Sequence, residues 1–285
     1  MNERLMSAAD HKGRARQKMG QFIGACCTLG VAAVVVSLLL NWFLQHSGGA
    51  LSLYYWSTGE SDIQTSVSLS TQGLFAALRI EEVGIGFSVA VTAAAFGTFL
   101  LVRLLAVVVT APFRGGCLEN LWQIQRGQPR AFRTVFSWYS DWHRAVSAVC
   151  LEVLLAIVQG LLQAVFWLPG LFALTRSGGQ ASAVTAAMLL LLLGQGLAWC
   201  VMTQFAPARF LLARDPEQGA RGALSACGRL LSRRRKKYFL FCLSFILWEV
   251  LNTLTQGMMD LYLYGYQGLA NMDWIECAER ESSYV

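Results

Sequence analysis

Four stretches of this chain are at least as long as a membrane crossing and almost free of charge, and that leaves few folds open. They are Phe22 to Leu44, Gly84 to Ala111, Ala145 to Leu174 and Ala181 to Phe205, with Arg103 and Glu152 as their only charged residues. A hydrocarbon core about 30 Å thick takes roughly 20 apolar residues per helical crossing, so each stretch is a predicted span. A fifth apolar stretch starts at Tyr238. Of the 285 residues, 55% are hydrophobic and 14% charged, an apolar surplus that a water-soluble domain of this size could not hide in one core.

The first run follows a basic segment, which raises the question of a cleaved signal. A signal's apolar region is typically ~7 to 15 residues ending in a small-residue cleavage site, whereas Phe22 to Leu44 is longer and runs into Asn41-Trp42-Phe43, so a retained anchor is predicted. Lys and Arg near span ends set orientation. The segments up to Gln21, from Pro112 to Arg144 and from Ala206 to Lys237 hold 19 of the 23 basic residues, all on alternate connections. Gln45 to Val83 offers only Arg79 against Glu60, Asp62, Glu81 and Glu82. The N-terminus is therefore read as cytoplasmic and Gln45 to Val83 as an outer loop too short for a domain.

Of the eight cysteines, Cys26, Cys27, Cys150, Cys200 and Cys242 sit in apolar runs, Cys117 and Cys227 in basic loops, and Cys277 in the tail. No CxxC or Cys/His ligand spacing occurs, so quiet buried thiols are expected rather than a disulfide framework or a zinc site. The inner connections carry amphipathic pattern over about 112–136, where Leu118, Leu121, Trp122 and Ile124 lie between basic residues, and over about 215–234. Such segments suit helices at headgroup level. Asp215-Pro216-Glu217 reads as a helix start, with a capping Asp, Pro at the first position and acid in the first turn. Tyr238 to Ala270 would reach about 50 Å as a single helix. It reads either as two short spans turning near Thr255-Gln256-Gly257 or as one tilted helix with Tyr262, Tyr264 and Tyr266 in the outer aromatic belt.

Arg214-Asp215-Pro216, the run through Lys236-Lys237-Tyr238-Phe239-Leu240, and Leu243-Ser244-Phe245-Ile246-Leu247-Trp248 carry a resemblance. The chain resembles the bacterial membrane family catalogued as domain of unknown function 975. Leu254-Thr255-Gln256-Gly257-Met258-Met259 stands where that family has Leu-Thr-x-Gly-Ile-Gly, and Gly265-Tyr266 where it has Pro-Tyr. Upstream, Pro112, Gly116, Arg126-Gly127 and Phe136 are similar to the family's pattern after its second span. The resemblance implies a compact bundle of about six helices in a bacterial cytoplasmic membrane with both termini inside, and it implies no activity.

An ionisable residue inside a span costs roughly 2.5 to 3.5 kcal/mol on insertion scales, which makes it a functional candidate. By helical rise, Arg103 and Glu152 should lie about 12 Å from the inner surface and Glu249 slightly deeper. Pairing of Arg103 with either carboxylate is the geometric option, as a polar or proton-linked site or as an ion pair that fixes helix register. Glu249, Asn252, Thr253, Gln256 and Asp260 share one helix face. That face could line a solute path or hydrogen-bond to Gln159, Gln163 and Gln195 on neighbouring spans. Arg233, Arg234, Arg235, Lys236 and Lys237 stand just before a span and read as contacts to anionic lipid at the cytoplasmic face rather than to nucleic acid. His11, His46 and His143 are the only histidines, and no HExxH, GxSxG or P-loop is present.

The expected fold is all-α: one polytopic transmembrane helical bundle over 1–285. Its membrane segments are expected at about 22–44, 84–111, 145–174, 181–205, 238–254 and 257–272, with amphipathic helices on the cytoplasmic side. The expected function is a non-catalytic membrane scaffold or accessory subunit without cofactor or metal, resting on lipid and on a membrane-protein partner or a second copy. The alternative is a small-solute or ion transporter with a polar site near Arg103, Glu152, Glu249, Asn252 and Gln256.

Overall fold

A computed structural model of the chain describes residues 7–46, 51–57, 66–69, 85–87, 93–176, 181–255 and 258–283. Helix dominates. Among the described residues, four stretches are long and apolar enough to cross a membrane: Ile23–Leu40, Leu101–Gln125, Trp142–Gly170 and Leu189–Arg214. They belong to helices α2 (Ile23–His46), α3 (Ala93–Gln125), α5 (Trp142–Arg176) and α6 (Ala181–Thr203), the last window continuing into α7 (Ala206–Arg214). Val35, Leu38, Leu161, Val165, Leu189 and Leu193 leave large apolar side chains exposed on these helices, as a hydrocarbon surround allows. In the stretch read as a plain outer loop, β1 (Leu51–Ser57) pairs antiparallel with β2 (Ser66–Leu69), and β1 also pairs antiparallel with β3 (Ile85–Phe87), which lies in the stretch read as the second span. Ile85–Phe87 are thus strand where a span was expected, and α3 is described from Ala93.

The chain divides into two compact units. The first comprises Met1–Leu38, Val107–Leu155 and Val201–Val285 and holds the large buried core, including Leu121, Trp122, Trp138, Leu151, Leu211, Tyr238, Leu269 and Ile275. It opens with α1 (Ala8–Gln21), in a stretch read from sequence only as a basic N-terminal segment. A reciprocal cap starts this helix: the Asp10 amide donates to the Ser7 hydroxyl at 3.3 Å and the Ser7 amide to the Asp10 carboxylate at 2.8 Å. That pairing holds the Asp10 carboxyl below its ordinary range. His11, Ala15 and Met19, spaced four apart, form the buried face of α1.

Pro112 does not end the second apolar helix as an interfacial boundary would require. α3 runs through it to Gln125, because Leu121, Trp122 and Ile124 beyond it are buried in the core rather than laid on a surface. The helix stops at Gly127, φ +78°, where the amides of Gly127 and Gln128 donate to the carbonyls of Ile124 and Gln123 at 2.9 and 2.8 Å. Residues Phe132–Phe136 then make a 3₁₀ turn and α4 (Ser137–Ser140) follows. Gly115 and Gly116 form their bed: a Cβ on Gly116 would stand 2.0 Å from the Val135 carbonyl oxygen, and one on Gly115 2.5 Å from the Trp138 ring.

Asp215 also departs from its expected role, since its side chain makes no cap and Pro216–Gln218 form only a 3₁₀ turn. Gly219, at φ +66°, resets the backbone. α8 (Gly219–Leu231) follows, amphipathic as its sequence suggests, with Ala220, Ala223, Cys227, Leu230 and Leu231 buried. The long final stretch is not one helix. It divides into α9 (Arg235–Leu243), α10 (Ile246–Leu254) and α11 (Asp260–Ser283), with breaks at Ser244-Phe245 and between Leu254 and Asp260. α11 runs back along α9 and α10: Tyr238 packs at a tilt against Trp274 with ring centroids 4.7 Å apart, Phe245 meets Tyr266 at 5.7 Å, and Asn252 donates to Asp260 at 2.8 Å. The Ser244 carbonyl freed by the first break accepts from Lys12 Nζ at 2.6 Å, and the same ammonium lies 4.2 Å from the Phe245 ring centroid.

The second unit comprises Leu39–Ala106 and Ala156–Cys200. Gln163 donates to Gln195 at 3.0 Å between α5 and α6, and a Cβ on Gly194 would stand 2.4 Å from the Phe166 Cβ. Small residues and paired amides are the usual cement between helices in lipid.

Candidate functional site

The charged residues singled out inside the spans fall in both units. Arg103 lies in the second unit and Glu152 and Glu249 in the first. The Glu152 carboxylate, mostly buried on α5, is gripped side-on by Arg209 of α7, with Nε to Oε1 at 2.7 Å and a terminal nitrogen to Oε2 at 2.8 Å. Arg114 stands 4.0 Å from the same carboxylate. Glu249 accepts from Gln267 of α11 at 2.8 Å. Asn252 turns to Asp260, while Gln256 lies outside the described residues. Of the basic run, Arg233, Arg235, Lys236 and Lys237 are exposed. Arg234 turns inward to Glu281 at 3.3 Å and donates to the Ala278 carbonyl.

Arg234 leads to a polar region of the first unit, the last three turns of α11. Three separate parts of the chain supply basic residues to its carboxylates. Arg214, at the end of α7, forks onto Glu279 with its second bond at 2.7 Å, Arg234 reaches Glu281, and α1 supplies His11 to Asp273. The acidic residues of the tail, which sequence offers as weak topology signals, are thus the anchors for basic residues far away in the chain.

His11 and Asp273 form the buried member of this set, with Nδ1 to Oδ2 at 2.6 Å and residue exposures of 4% and 5%. Arg14, one turn along α1, is 3.5 Å from the other Asp273 oxygen and 4.0 Å from the Cys277 sulfur. One ring nitrogen of His11, one oxygen of Asp273 and the Cys277 Sγ lie within 4.8 Å of one another. Burial raises the Cys277 thiol pKa and the Asp273 charge adds to it, with Arg14 and Arg280 pulling the other way. His11 and Cys277 also border a cavity of about 310 Å³ whose other walls include Arg234, Lys237, Phe241 and Trp274. Phe241 holds the His11 ring edge-on at 5.9 Å. Sequence reasoning missed this cluster because its members come from the two ends of the chain. The one local sign was Asp273-x-x-x-Cys277, the spacing of neighbours on a helix.

The sequence profile of the family described as "Protein of unknown function (DUF975)" matches residues 10–276. The chain belongs to this family. The DUF975 match takes in α2 through α10 whole, together with His11 and Asp273, and stops one residue before Cys277. No curated protein and no solved structure matches the chain.

Proposed function

We propose that this DUF975 protein is a non-catalytic scaffold or accessory subunit of the bacterial cytoplasmic membrane. The observation that carries the reading is the side-on grip of Arg209 on Glu152. A solute or proton site needs a carboxylate that water and ligand can reach, whereas both oxygens of this one are spent joining α5 to α7. Glu249, Glu279 and Glu281 are likewise held by partners on other elements. In this reading the basic layer faces the cytoplasm, where 19 of 23 Lys and Arg residues would be retained. Exposed Arg233, Arg235, Lys236 and Lys237 meet anionic lipid there, at about 1 kcal/mol each. The partner is a second membrane protein or another copy of the chain.

The test is mild cross-linking in cells followed by gentle detergent extraction, with the purified chain reconstituted in liposomes alongside. The reading expects a larger assembly and no solute flux by the chain alone. A chain that is always solitary and conducts a solute or ion would sink it. The contacts among Glu249, Gln267, Asn252 and Asp260 would then be the first place to look for a transport path.

A further inference from the structure

We propose that His11, Asp273 and Cys277 bind one divalent transition-metal ion of the zinc type, clipping α1 to the end of α11. The three offer nitrogen, oxygen and sulfur, a set that suits zinc or a similar borderline ion and suits neither magnesium nor calcium, which demand oxygen. Their ligand atoms lie within 4.8 Å of one another, whereas atoms sharing one tetrahedral ion at zinc distances are about 3 to 4 Å apart. Two ligands sit four residues apart on one face of α11, and the third comes from the helix docked against that face.

Charge supports the same assignment. A neutral imidazole, a carboxylate and a thiolate carry two negative charges, which a divalent cation cancels, so the bound site is neutral where His11 and Asp273 are buried. Arg14 lies against Asp273 and Cys277, and its half-exposed side chain can swing out when a metal enters. Binding forms a metal–sulfur bond and releases the Cys277 proton to solvent, so affinity falls as pH is lowered. Other charges facing the site are Arg234, Lys237, Glu276, Arg280 and Glu281. The cavity bordered by His11 and Cys277 leaves room for a water as fourth ligand.

The experiment uses the full chain in detergent micelles, stripped with chelator and titrated with Co²⁺ and then Zn²⁺. One Co²⁺ per chain is expected, with the near-ultraviolet absorption of a cobalt–thiolate bond, and Zn²⁺ should displace it. That absorption should vanish in Cys277→Ser. Asp273→Asn should weaken binding at least about tenfold, since even losing a group that supports a metal ligand commonly costs 10–100-fold. A second measurement needs no variant: Zn²⁺ should protect Cys277 of the native chain from iodoacetamide, and Mg²⁺ should not. No saturable Co²⁺ uptake, a thiolate band that survives Cys277→Ser, or Cys277 alkylation unaffected by Zn²⁺ would each overturn the proposal.

Discussion

Arg209 and Glu152 differ in how much water each would see if left alone, and that asymmetry yields a quantitative prediction. The Glu152 side chain is 14% exposed and the Arg209 side chain 37%. Arg209→Met strands a mostly buried carboxylate, a class of change that costs roughly 3 to 5 kcal/mol. Arg114, half exposed at 4.0 Å, can move closer and offset about 1 kcal/mol, the worth of a solvated pair. The expected loss is therefore about 3 kcal/mol. Glu152→Gln should cost less, about 1 to 2 kcal/mol, because the amide oxygen still accepts one of the two bonds and Arg209 can turn toward water. The double variant Glu152→Gln with Arg209→Met removes both charges, leaves no stranded ion and should return to within about 1 kcal/mol of the native protein. Unfolding of the four proteins in mixed detergent, followed by tryptophan fluorescence, closes the double-mutant cycle, with an expected coupling of about 3 kcal/mol. A coupling below about 0.5 kcal/mol, or a larger loss from Glu152→Gln than from Arg209→Met, would refute the structural reading of the pair.

Gly116→Ala should destabilise by about 3 kcal/mol, at the upper end for overpacking, because its Cβ would meet the Val135 main chain, which cannot rotate away; thermal melting in detergent reads the loss. Gly219→Ala should cost about 1 to 2 kcal/mol by the same measurement, since φ +66° is strained for any residue with a Cβ, and Gly219→Asn should recover part of it. Burial pushes the Cys227 thiol from 9.0 up to about 11. The folded state thus keeps a proton that the unfolded chain gives up, so this contribution to stability is intact below pH 9 and is lost as pH rises toward about 11. Cys227→Ala should remove that part of the alkaline destabilisation, read as melting temperature against pH.

The apolar spans were legible because their signal is local. The bilayer fixes a length, and Ile23–Leu40 and Trp142–Gly170 meet it within one unbroken helix each. Boundaries failed where packing outweighed a local rule. Pro112 lacks an amide donor but sits between helical turns whose side chains are buried, so α3 continues. Asp215-Pro216 has the residues of a helix start, yet the positive φ at Gly219 delays the helix to the next turn.

The pairings of the first unit were illegible for a different reason, since spacing reveals partners only when they share a helix. His11 with Asp273, Arg214 with Glu279 and Lys12 with the Ser244 carbonyl join points 262, 65 and 232 residues apart. These contacts also explain why the break within Leu243-Ser244-Phe245-Ile246 can persist in a protein this apolar. A helix interrupted at Ser244 frees a carbonyl that would be costly to leave unpaired, and the Lys12 ammonium satisfies it while covering the Phe245 ring. α1 is held by that contact at one point and by Asp273 at another. Lys12 of α1 therefore closes the polar gap where α9 and α10 depart from a continuous helix.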